Sequence, residues 1–300
     1  MTLDVAPAGH PRPAVKGFYD HRTHSIQYVV SCPRTRRCAI IDPVLDFEEK
    51  SGATATRHAD VILQYVAEND LAVDRILDTH PHADHFSAAR YLKEQTGAPT
   101  AIGDHVGAVQ RLWKKIYNFD DLPTDGSQWD ELFADGDTFT VGDVAAFVMF
   151  SPGHTLASIT YVIGDAAFVH DTLFMPDGGT ARCDFPGGDA RSMWRSIQKI
   201  LALPEETRVF TGHDYQPGDR QASWESTVGE QKRKNIHIAG KDEAAYVKLR
   251  EERDKKLPMP KLILSALQVN IRAGRLPEPE DNSKRYLKIP LDALGGAAWE

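Results

Sequence analysis

Cysteine is scarce in this chain, with three residues, Cys32, Cys38 and Cys183, among 300. An odd count without a paired motif argues against a disulfide framework, and Cys32 and Cys38, which flank a turn, are not expected to pair. Long apolar runs are also missing, since nothing approaches the ~18 residues of a membrane span. The formal net charge is −8, with both signs interspersed, and this leaves no basic stripe of the kind a nucleic-acid partner requires. The opening residues, Met1 to Pro7, hold neither an apolar signal core nor an arginine-rich amphipathic pattern. The expectation is a cytoplasmic protein in a reducing compartment, with no membrane and no nucleic acid as partner. No internal repeat or low-complexity segment is present.

Histidine, by contrast, is concentrated. Residues 78–85 read Asp-Thr-His-Pro-His-Ala-Asp-His and follow the β-type run Val73 to Leu77. Three imidazoles and a carboxylate within six positions, His80, His82, Asp84 and His85, are too costly to bury as packing. A metal ion resolves that cost, because imidazole nitrogen and carboxylate oxygen are ligands for zinc or iron. Further ligands are expected downstream, since a short loop rarely closes a site alone. His154 follows the alternating run Ala146 to Phe150, Asp171 follows Ala166 to Val169, and His213 follows Val209 and Phe210. Each candidate therefore sits at a strand end, a placement that brings all of them to one rim.

With 41% hydrophobic residues the chain can bury a sizeable core, and it reads as one catalytic domain with appendages. The domain is expected over residues 1–275, with 276–300 as a C-terminal extension. Residues 1–15 read as a loose lead. Phe18 to Val30 and Cys38 to Ile41 read as two strands, residues 46–57 as a polar loop, and Ala59 to Asn69 as a helix covering a sheet. Ala88 to Gln95 read as a helix capped at Gly97. Hairpins are expected around Gly142-Asp143 and Gly164-Asp165, an amphipathic helix over Met193 to Leu203, and charged helices within 222–256. An aromatic-rich insertion, about 104–135, carries Trp113, Tyr117, Phe119 and Trp129. It is either a helical piece packed on the body or a lid over the cleft.

Thr79-His80-x-His82-x-Asp84-His85, followed by His154, Asp171 and His213, is similar in order and approximate spacing to the metallo-β-lactamase superfamily pattern. The resemblance implies an α+β protein, an αβ/βα sandwich of two mixed β-sheets flanked by helices, with the metal site in a cleft at one edge. Other stretches narrow the branch. Ile41-Asp42-Pro43-Val44-Leu45, Ala181-Arg182-Cys183-Asp184-Phe185, His213-Asp214-Tyr215, Ser226-Thr227-Val228 with Glu230 and Asn235, and Asn270-Ile271-Arg272-Ala273-Gly274 resemble the persulfide dioxygenase (sulfur dioxygenase) family. That likeness runs from about residue 17 to 274. The polar loop, the insertion, the tail and His170, where relatives usually carry glycine, depart from it and point to a longer bacterial-type subgroup.

The resemblance implies one Fe(II) per chain, held by His80, His154 and Asp171 as a two-histidine, one-carboxylate triad. His82, Asp84, His85 and His213 would then orient ligands or water around it. The implied reaction is oxidation of a low-molecular-weight persulfide, glutathione persulfide first among them, by dioxygen to sulfite and thiol. The alternative is a dinuclear zinc hydrolase resembling glyoxalase II. It would hold two Zn(II) per chain, with the same four residues filling a second site bridged by Asp171, and would cleave a glutathione thioester. Substrate contacts are expected from Arg182, unless its fork is spent on Asp184, from Tyr215 in the cleft wall and from Arg272 on a glutathione carboxylate, unless it serves the surface instead. Cys183 is expected to be a small buried hydrophobe. A homodimer is expected, with a sulfurtransferase as candidate supplier of substrate.

Overall fold

The computed structural model describes residues 12–294, so most of the expected N-terminal lead lies outside the described residues. The first sheet is built from β1 (Ala14–Tyr19), β2 (Ile26–Ser31) and β3 (Arg37–Ile41), and β4 (Val44–Glu48) and β5 (Ala53–Ala55) then form a hairpin. After β6 (Ala72–Leu77) come β7 (Phe86–Ser87), β8 (Thr100–Gly103) and β9 (Glu131–Phe133). The sheet order is β1-β2-β3-β6-β8-β9, antiparallel at first and parallel from β3 onward, while β5-β4-β7 make a small separate sheet. The expected polar loop at 46–57 is therefore largely strand. Its polar residues are the exposed side of a short ladder, turned at Gly52 with φ 68°. The expected strand from Phe18 to Val30 is two strands, broken by a turn in which His24 takes φ 60°.

The second sheet runs β10 (Thr138–Val141), β11 (Val144–Phe150), β12 (Ile159–Ile163), β13 (Ala166–His170), β14 (Arg208–Thr211) and β15 (Glu225–Thr227), in that order. Both expected hairpins form, with Gly142 and Gly164 at φ 56° and 59° in their turns, a region where a Cβ is disfavoured. The two mixed sheets face each other across one core. Tyr28, Val30 and Ile41 from the first meet Val148, Tyr161, Phe168 and Phe210 from the second. Each outer face is covered by helices. On the first sheet lie α1 (Arg57–Glu68) and α2 (Ala89–Thr96); after α3 (Val106–Tyr117), the helices α4 (Ala190–Leu201), α5 (Val228–Lys234) and α6 (Glu243–Asp254) cover the second. The last helix, α7 (Ile263–Asn270), packs back on the first sheet's layer. This is the expected αβ/βα sandwich. No helix among the described residues is long and apolar enough to cross a membrane, and all three cysteines are buried and unpaired.

The aromatic insertion packs on the body. Trp113, Tyr117 and Trp129 are buried against α7, and the Tyr117 hydroxyl lies 2.9 Å from the Leu264 carbonyl. Tyr117→Phe is expected to cost about 1 kcal/mol of unfolding free energy, the net worth of a buried hydrogen bond. Substrate KM should stay unchanged, and a shifted KM at unchanged stability would instead mark a lid. The tail also rests on its own chain, with Leu276 and Leu287 against the first sheet's helices and the Lys288 amide donating to Gln268 Oε1 at 2.9 Å.

Candidate metal centre

Strand ends deliver the site, as the spacing predicts. The loop after β6 carries His80, His82, Asp84 and His85; the turn after β11 carries His154; Asp171 follows β13 and His213 follows β14. Each arrives braced. Asp42, at the end of β3, accepts from the Thr79 amide at 2.7 Å and the Thr79 hydroxyl at 2.8 Å, which fixes the start of the histidine loop. Asn270 fixes its far end. The Asn270 amide nitrogen donates to the carbonyls of His82 and His85, both at 2.7 Å, and its oxygen accepts from the Ser87 amide at 2.8 Å. Asp78 sits beneath, accepting from Trp129 Nε1 at 2.9 Å, and burial pushes its carboxyl up to about 6.

The seven predicted residues fall into two groups. His80, His154 and Asp171 offer ligand atoms within 4.8 Å of one another, and His82, Asp84, His85 and His213 do the same. Asp171 lies between them, with Oδ2 at 3.4 Å from His154 Nε2 and Oδ1 at 3.5 Å from His213 Nε2. The His82 ring lies 4.1 Å from that of His80, with its Nε2 3.0 Å from Asp42 Oδ1.

Charge follows the same division. Burial holds the imidazoles of His80, His85 and His154 below their ordinary range, so they stand neutral with a lone pair to offer. For His82 burial works the same way, but the Asp42 carboxylate outweighs it and pushes the imidazole up to about 9. Asp84 is held well below the carboxylate range, since His213 and His85 outweigh its burial. Among the described residues His80 Nε2, both His82 nitrogens, His85 Nε2 and Asp171 Oδ1 are buried with no hydrogen-bond partner. Orphaned buried polar atoms are expensive, and imidazole nitrogens and carboxylate oxygens gathered in one place fit a first-row transition metal.

Tautomers and space complete the fit. The His154 Nδ1 donates to the Arg182 carbonyl at 2.9 Å, which leaves Nε2 for a metal. Gly212 leaves room for Asp171, because a Cβ there would stand 2.7 Å from Oδ1. Gly212→Ala is therefore expected to displace the carboxylate and weaken metal retention about tenfold, read by chelator competition on the loaded protein.

The centre opens into a cleft of about 1040 Å³ with aromatic and apolar walls, including Phe47, Phe174, Phe185, Tyr215 and Met259. Tyr215 lines it as expected, stacked on the His213 ring at 3° between planes. Arg182 also reaches it, but its fork is taken: Nε and Nη2 hold Asp184 at 2.6 and 2.8 Å, and Nη1 donates to the Pro258 carbonyl. Arg272 is not in this cleft. It lies over the Phe119 ring at 4.3 Å and lines a separate cavity beside Trp129. Asp42 and Asn270 were singled out in the sequence only as parts of resembling stretches. His170 ends β13 at φ 39°, with its ring 5.1 Å from that of His80 and Nε2 3.0 Å from the Thr172 hydroxyl.

The sequence profile of the Metallo-beta-lactamase superfamily matches residues 25–213. A Xylella fastidiosa protein named Beta-lactamase hydrolase-like protein is 71% identical over 96% of this chain, which spans 67% of that relative's length. Glyoxylase B2 of Dictyostelium discoideum is 48% identical over 89% of this chain and 93% of its own. Persulfide dioxygenase ETHE1, mitochondrial, of Homo sapiens is 29% identical over 82% and 83%. Among solved structures, ETHE1 from Myxococcus xanthus superposes with a TM-score of 0.70 at 30% identity, covering 87% of this chain and 100% of that one.

Proposed function

This chain belongs to the metallo-β-lactamase superfamily, and from that premise we propose that it oxidises a low-molecular-weight persulfide, glutathione persulfide first among them, with one iron held by His80, His154 and Asp171. The observation that carries this reading is the division of the site. Two imidazoles and one carboxylate gather by themselves, while His82 pairs with Asp42. Two histidines and one carboxylate are the donor set of non-haem iron oxygenases. Further support comes from the Arg182-x-Asp184-Phe185 and Asn270-x-Arg272 stretches and from the likeness to persulfide dioxygenases.

The balanced reaction is RSSH + O₂ + H₂O → RSH + H₂SO₃, with the outer sulfur oxidised and dioxygen reduced. When bound, ferrous iron supplies the redox chemistry that lets dioxygen react with sulfur. The residues of the chain do the rest. His154, locked through Nδ1, presents Nε2 in one orientation; Phe174 and Phe185 keep water from the wall; Tyr215 covers His213. The four remaining residues, His82, Asp84, His85 and His213, hold charge beside the centre.

A second reading has its own support. The ligand atoms of His82, Asp84, His85 and His213 also lie within 4.8 Å of one another, Asp171 reaches both groups, and the 48% identical relative is named Glyoxylase B2. That reading is a dinuclear zinc thioesterase. Anaerobic purification, metal analysis and oxygen uptake with freshly made glutathione persulfide separate the two. About one iron per chain and persulfide-dependent oxygen consumption are expected. Two zinc ions per chain, no oxygen uptake and hydrolysis of a glutathione thioester would overturn the proposal.

A further inference from the structure

Helix α6 carries two buried charges that the reaction does not use. Arg250 and Asp254, one helical turn apart, are 1% and 4% exposed and pair with each other. Each also reaches out to the same loop. Arg250 Nη1 donates to the Thr180 carbonyl at 2.6 Å, and the second Asp254 oxygen accepts from the Cys183 amide at 2.9 Å. Thr180 is held from other sides, its amide donating to His237 Nδ1 at 2.9 Å and its hydroxyl lying 3.1 Å from that of Tyr246. Both ends of residues 180–183 are thereby pinned to one helix. Between the pins stands the Arg182 carbonyl, which accepts the proton of His154 Nδ1.

A buried ion pair is a costly way to hold a helix, because an apolar pair of similar volume packs as well or better. What an apolar pair cannot do is offer a donor to one loop carbonyl and an acceptor to an amide three residues on. We infer that Arg250 and Asp254 are positioning residues for the metal centre. They fix the 180–183 turn so that the Arg182 carbonyl keeps the His154 proton on Nδ1 and its Nε2 facing Asp171. The inference rests on His154 being a metal ligand and is independent of which substrate is turned over.

The test uses the full chain, loaded anaerobically with ferrous iron and titrated against a chromogenic chelator, with the melting temperature of the metal-free protein recorded alongside. In Arg250→Met/Asp254→Leu the buried charges are replaced as a pair, so folding is expected to survive. Iron affinity is nevertheless expected to fall about 10- to 100-fold, the usual effect of losing a group that orients a ligand. Arg250→Lys keeps the charge but cannot fork between Thr180 and Asp254, and a smaller loss is expected. If the double variant does not fold, Arg250→Lys decides alone. Unchanged affinity in the folded variants overturns the inference, and so does a loss that vanishes well below the melting range. His154→Ala is measured beside them. If it holds iron as tightly as the parent, the ligand reading itself has failed; if it loses iron and the Arg250 variants do not, only the positioning role has.

Discussion

Asn270→Ala is expected to destabilise the protein by about 5 kcal/mol and to weaken metal binding at the centre. The Asn270 side chain is 2% exposed, and its three bonds, at 2.7, 2.7 and 2.8 Å, all end on the backbone of residues 82–87. Alanine leaves the His82 and His85 carbonyls and the Ser87 amide without partners. Each stranded buried group costs roughly 1–3 kcal/mol, and relaxation recovers part of it. The loop so released carries His80, His82, Asp84 and His85, so a weakening of metal binding by at least about tenfold should accompany the loss of stability. Urea unfolding of the metal-free protein and chelator competition on the loaded one read the two effects separately. A stable variant that still binds metal as the parent does would show that the histidine loop holds its shape without α7.

Asn270 also explains why part of the site was legible in the sequence and part was not. The histidine loop stood out because no apolar core absorbs so many imidazoles in six positions. His154, Asp171 and His213 followed from a local rule, since each comes just after an apolar run that ends at the same rim of the sandwich. The braces lack such a local signal. Asp42 and Asn270 lie 37 and 183 residues from the Thr79 and Ser87 groups that they hold, and nothing in their neighbourhood marks the partner. The position of Arg272 has a geometric cause. Residues two apart do not share a face where the backbone is helical or nearly so, so with Asn270 turned to the metal loop Arg272 is sent the other way, onto Phe119. Arg182 was legible only as an alternative, and the ion pair with Asp184 turned its side chain into a fastener of the loop whose carbonyl holds His154.

Removing His154 and removing His213 should have unequal consequences. In the first group His154 is one of only three donors, and its Nδ1 is already committed to the Arg182 carbonyl. His154→Ala therefore leaves two donors. On the mononuclear iron reading, iron content is expected to drop to background and persulfide-dependent oxygen uptake to fall at least about a thousandfold, as losing several kcal/mol of metal assistance implies at 1.36 kcal/mol per decade. His213 stands 3.5 Å from Asp171 Oδ1 and 3.4 Å from Asp84, outside that triad. His213→Ala is expected to keep about one iron per chain and to lose activity only about 10- to 100-fold, through the orientation of Asp171. A dinuclear centre predicts otherwise. There His213 is a ligand of the second ion, Asp171 bridges, and the variant would lose one of two metals together with all hydrolysis. Metal content of His213→Ala thus discriminates where the parent protein's geometry accommodates both, because Asp171 is placed to serve either group.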